Sequence, residues 1–76
     1  MPGTKEHPLR ATLRAQRLSQ FDVSKLAGIH ESEVSRFLNG KLTASQERRQ
    51  FIEAKLRAAI DRLLAERTRV LARQRR

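Results

Sequence analysis

The sequence predicts an all-α chain: a compact bundle of three short helices, then one long C-terminal helix. Three observations predict it. Apolar residues recur at three- and four-residue steps, the spacing of one helix face, and no run alternates as a half-buried strand does. The helix breakers Pro2, Gly3, Pro8, Gly28 and Gly40 all lie within the first 40 residues. Beyond them the chain is mostly Ala, Leu, Arg, Glu, Gln and Lys, which all favour helix.

Each element follows in order. Residues 1–7 read as a flexible arm. Pro8 suits a first helical turn, where its missing N–H is not needed. Leu9 and Leu13 at i, i+4 place a first helix over about 8–17. Ser19 is a good N-cap for a second helix over 19–27, with Phe21, Val23, Leu26 and Ala27 as its apolar face. Gly28 ends it, because glycine accepts the left-handed conformation that stops helices. Residues 31–38 form a third helix with Val34, Phe37 and Leu38 on one side, closed by Asn39-Gly40. Thr43 and Gln46 have capping-box spacing and open the long helix over 43–76. Fully helical, it spans about 50 Å at about 1.5 Å per residue. Residues 8–42 are thus expected to form the core unit, closed by Phe51, Ile52 and Leu56 of the long helix.

Composition narrows the function classes. The chain has 76 residues, 17 Lys plus Arg against 8 Asp plus Glu, and a net charge of +9. A chain this short buries only about 60 % of its unfolded surface. Cysteine is absent, so neither disulfides nor thiolate–metal sites add stability. His7 and His30 lack ligand-spaced partners, so no metal and no cofactor is expected. Self-association remains as a source of stability. No apolar run of about 18 residues exists to span a membrane. The opening MPGTKEHPLR has no apolar stretch typical of a secretory signal, so the expected location is the cytoplasm. The positive excess points to a polyanionic partner, above all nucleic acid.

Two short helices joined by a tight glycine turn make a helix-turn-helix. The turn needs positive φ, supplied by Gly28, and apolar contacts at the crossing, supplied by Val23, Ala27, Ile29, Val34 and Phe37. Leu18 to Gly40, LSQFDVSKLAGIHESEVSRFLNG, resembles the helix-turn-helix of the phage repressor and Cro type, the Xre-like transcriptional regulators. The matching elements are Ser19-Gln20, Leu26-Ala27-Gly28-Ile29, Val34-Ser35-Arg36 and Asn39-Gly40, and LRATLRAQR fits the family's first helix. Ser24 stands where the family prefers Ala, and Arg17 where it commonly has Gly. After Lys41 the family usually has two shorter helices, whereas this chain reads as one long helix.

The resemblance implies a DNA-binding bundle that docks helix 31–38 in the major groove of double-stranded DNA. Side chains near the start of such a helix reach base edges. That nominates Arg36, Ser32, Ser35 and Glu31, with Arg36 able to bond guanine O6 and N7 together. A phosphate contact or a surface ion pair with Glu33 competes for Arg36, and helix capping competes for Glu31. Phosphate contacts fall to Ser19, Gln20, His30, Asn39, Gly40 and Lys41, with Arg10, Arg14, Arg17 and Lys25 secondary.

In the long helix, Leu56, Ile60, Leu63, Leu64 and Val70 fall at helical steps beyond what a 40-residue core is expected to cover. The economical expectation is a homodimer joined along this stripe, reading a near-palindromic operator; a helix folded back on its own body is the alternative. Residues 48–76 carry ten basic and three acidic residues, and the Arg-rich end suits flanking phosphates or simply the helix dipole. No nucleophile, paired carboxylates or phosphate loop suggests an enzyme, and no small-molecule ligand is evident. Two rivals stand beside the DNA-binding regulator. One is an interaction protein, antitoxin-like or polymerase-binding, that uses the long helix. The other is an RNA binder that uses the Arg-rich tail.

Overall fold

The computed structural model describes residues 7–74, together with the side chains of residues 7–73. The arm apart from His7, and Arg75 and Arg76 of the basic end, lie outside the described residues. The chain is all-helical, with no strand among the described residues. Its four helices are α1 (Pro8–Ala15), α2 (Gln20–Ala27), α3 (Glu31–Leu38) and α4 (Gln46–Gln74).

The first three helices end in the same way. Near each end one amide bonds back five residues: Leu18 to Leu13 O at 2.8 Å, Ile29 to Ser24 O at 3.1 Å and Lys41 to Arg36 O at 2.8 Å. This closure needs a left-handed residue just before it. Gly28 (φ 74°) and Gly40 (φ 71°) supply it after α2 and α3. After α1 the left-handed residue is Arg17 (φ 55°), at the position where a glycine was missed in the sequence. The first helix therefore stops at Ala15, two residues short of expectation.

The starts are capped by side chains. His7 Nδ1 accepts from Leu9 N at 3.1 Å, and the ring packs on Phe37 of α3 with centroids 4.9 Å apart. His7 thus belongs to the folded body rather than to a flexible arm. Ser19 Oγ accepts from Asp22 N, and His30 Nδ1 from Ser32 N. The long helix begins at Gln46, where Ser45 Oγ accepts from Arg48 N at 3.1 Å, so Ser45 takes the capping role expected of Thr43.

Leu9, Leu13, Val23, Ile29, Val34, Phe37 and Leu38 of the three-helix unit close over Ile52, Leu56, Ala59 and Ile60 of α4. α2 lies along α4, and buried Ser24 at that face satisfies its hydroxyl on Gln20 O at 2.8 Å. Leu63 and Leu64 are half-buried against the same core. Leu56 and Ile60 are therefore interior residues of one chain, not a dimer surface. α2 extends the covered length of α4 further than a count of core residues suggests. Beyond it, Arg67 Nη1 donates to Gln16 O at 2.7 Å and ties α4 to the end of α1. Only Val70 (50 % exposed) and Leu71 (54 %) continue the stripe past the body.

Three apolar residues lie elsewhere than expected. Phe51 is 47 % exposed because it sits about 100° around α4 from Ile52, off the inward stripe. The Arg48 and Lys55 cations cover its ring instead, at 5.2 and 5.6 Å from the centroid. Phe21 and Leu26 are also exposed, and α2 packs through Val23, Ser24 and Ala27.

Candidate nucleic-acid interface

α3 buries Val34, Phe37 and Leu38 and turns the rest of its surface outward. At about 100° per residue, Ser32, Arg36 and Asn39 fall on one outer strip, with Glu31 and Ser35 along its edge. Ser32, Arg36, Asn39 and Glu31 are exposed, and Ser35 is half-buried. The residues nominated for base contacts thus share one uncovered face.

Braces from neighbouring helices hold one flank of that face and its C-terminal end. On one side Arg48 of α4 grips Glu33 through a two-pronged contact, Nε to Oε2 and Nη2 to Oε1, each 3.0 Å. The paired N–H donors hold the Glu33 carboxyl below its ordinary value, against a smaller opposing effect of desolvation. Glu33 therefore pairs with Arg48, not with Arg36. At the C-terminal end Arg10 of α1 donates to Asn39 Oδ1, while Asn39 Nδ2 donates to Ser35 Oγ at 3.5 Å.

These bonds sort the nominated residues. Ser32 Oγ lies 2.8 Å from His30 Nδ1, so its hydroxyl takes part in the cap of α3. Ser35 and Asn39 are occupied by each other and by Arg10. Glu31 sits in the first turn, where a carboxylate complements the helix dipole. Arg36 and Glu31 have no side-chain hydrogen-bond or ion-pair partner among the described residues, and of the two only Arg36 carries donors. Its five donors are held on a packed helix and open to an acceptor.

The expected phosphate contacts are more dispersed. Gly40 and Lys41 are exposed at the end of α3, beside Asn39. Ser19 and Gln20 sit at the start of α2, and no hydrogen bond joins them to α3 among the described residues. Ser19 is exposed and Gln20 half-buried. Lys25 lines a groove between α2 and α4 of about 350 Å³, with Asp22, Leu26, Arg62, Leu63 and Glu66. Arg10 serves as a brace, and Arg17 forms the turn after α1.

Sequence reasoning missed Arg48 as the partner of Glu33 and Arg67 as the tether of α1. Both join residues far apart in the chain, 15 and 51 positions, across which no periodic pattern runs. No protein-family model, curated protein or solved structure matches the chain.

Proposed function

We propose that the chain is a sequence-specific double-stranded DNA-binding regulator of transcription that docks α3 in the major groove. The observation that supports this most is the outer face of α3, braced by Arg48 on one flank and by Arg10 at Asn39, with Arg36 exposed and uncommitted on it. Eight residues of helix are about 12 Å long, comparable with the width of the groove. In this reading Arg36 bonds a guanine through O6 and N7, and Lys41 and the backbone around Gly40 meet phosphates. The Arg48–Glu33 pair removes one carboxylate charge that would repel the DNA backbone, and fixes the tilt of the helix.

The proposal includes a pair of chains on a near-palindromic site. Its support is narrower than the sequence suggested: the pairing surface is Val70 and Leu71, with half-buried Leu63 and Leu64 beside them.

Selecting bound duplexes from a random pool tests the proposal. A defined consensus is expected, two-fold symmetric for the pair. Arg36→Ala should lose about 1–3 kcal/mol at one base position and leave the other positions intact. A pool that yields no consensus, or an unchanged consensus for the variant, overturns the assignment.

A second reading has one observation behind it. The groove between α2 and α4 exposes Leu26 and Leu63 between charged rims, as an interaction protein would use. In that case Leu63→Asp abolishes function while Arg36→Ala leaves it intact.

A further inference from the structure

α4 carries a pattern that groove docking by α3 does not use. Its cations recur at a fixed seven-residue interval: Arg48, Lys55, Arg62 and Arg69. Seven residues advance the helix about 10.5 Å and fall about 20° short of two full turns. The four side chains therefore make one slowly winding ridge, about 31 Å long. All four are exposed. Three residues past each cation stands Phe51, Ala58, Ala65 or Ala72, so that flank carries no acid and little bulk above Phe51.

A solvated helix face ordinarily matches its cations with acids three or four positions away. α4 does so on another face, where Arg57 bonds Glu53 at 2.9 Å. On the ridge Glu66 lies four residues from Arg62 and three from Arg69, yet it pairs with neither among the described residues. Lys55 touches only the Phe51 ring there. Arg73 extends the ridge, exposed and likewise without a partner among the described residues. In a chain of net charge +9, aligned unpaired cations repel one another unless a polyanion screens them. The ridge also starts beside α3, because its first member, Arg48, is bonded to Glu33.

We propose that Lys55, Arg62 and Arg69 form a second, sequence-independent phosphate-binding surface, which engages the backbone of the duplex next to the bases that α3 reads. This rests on the reading of α3 given above. Arg48 is committed to Glu33 and is not counted.

The test compares the full chain with a Lys55→Gln, Arg62→Gln, Arg69→Gln variant. Gln favours helix and all three positions are exposed, so the variant should stay folded, with the lost Lys55–Phe51 contact and the relieved repulsion opposing each other in the melt. Binding to a labelled mixed-sequence duplex is titrated between about 50 and about 200 mM salt. The slope of log K against log salt should become shallower by about 2.7, at about 0.9 per phosphate contact, so the wild type loses roughly 40-fold more affinity than the variant over that range. The consensus selected from a random pool should be the same for both. An unchanged slope with the consensus intact overturns the ridge and leaves the α3 reading standing. A wild-type chain that selects no consensus overturns the α3 reading, and with it the claim that the ridge serves that duplex.

Discussion

Replacing Arg17 with glycine should make the chain more stable. Arg17 holds φ 55° so that Leu18 N can reach back to Leu13 O and close α1. In that conformation a Cβ crowds the following carbonyl, at about 1–2 kcal/mol for an L-residue. Glycine removes the crowding and keeps both closing backbone bonds, Arg17 N to Arg14 O and Leu18 N to Leu13 O. Against this, glycine gives the unfolded chain more freedom, worth about 0.4–1 kcal/mol. The exposed Arg17 side chain has no partner among the described residues to lose. The net gain is about 0.5–1 kcal/mol, or a Tm rise of about 2–8 °C for a domain of this size.

Far-UV circular dichroism melts read the change directly. Gly28→Ala is the mirror control. A Cβ built on Gly28 meets nothing within 4 Å, so only the backbone at φ 74° resists the substitution. It should destabilise by a similar amount, about 0.5–1 kcal/mol. A lower Tm for Arg17→Gly, or two neutral variants, would refute the reasoning that left-handed closure governs these helix ends.

The remaining predictions follow from the packing and the ion pair. Leu56→Ala should cost about 2–5 kcal/mol, since Leu56 is 1 % exposed at the centre of the core, and should largely unfold so small a domain in a thermal melt. Val70→Asp should convert any sedimenting dimer to monomer and lower the melt only by the mass-action stabilisation that pairing supplies; retention of a dimer contradicts pairing through the end of α4. For Glu33 the folded carboxyl lies below its ordinary value of 4.5, so its stabilising contribution is complete above that value and is lost as the pH falls through the lowered one. The stability difference between wild type and Glu33→Gln should therefore be constant near neutrality and shrink in acid. A difference that grows in acid would contradict the pairing with Arg48.

The helix count and most helix ends were legible because their chemistry is local. Ser19, Gly28 and Gly40 act on bonds within a few residues of themselves, and the sequence shows those residues directly. The start of α4 was less legible, because Thr43 and Ser45 are both competent caps and only the path of the loop chooses between them. Leu56 was expected both to close the core and to head a dimer stripe, and only the first holds; the interior place of Ile60 was not legible. An apolar stripe at helical spacing looks the same whether its partner is the same chain or another. Phe51 was misplaced because its apolar character was weighed without its angular phase relative to Ile52. At the candidate interface, the helix-turn-helix resemblance nominated the outward residues of α3, and helical spacing agrees with that choice. Neither showed which of those side chains are already engaged. That depends on Arg10, Arg48 and the His30 ring, which approach from other elements or from the cap.

The central claim is that the outer face of α3 enters the major groove with Arg36 at a guanine edge. Dimethyl sulfate protection on a selected duplex measures this most directly, because the reagent attacks guanine N7, the atom that Arg36 would cover. Wild type should protect a guanine N7 within the consensus, and Arg36→Ala, at a concentration that saturates the duplex, should leave that one guanine reactive while other protections persist. Full reactivity at every consensus guanine under saturating wild type, or identical protection by both proteins, would contradict the account.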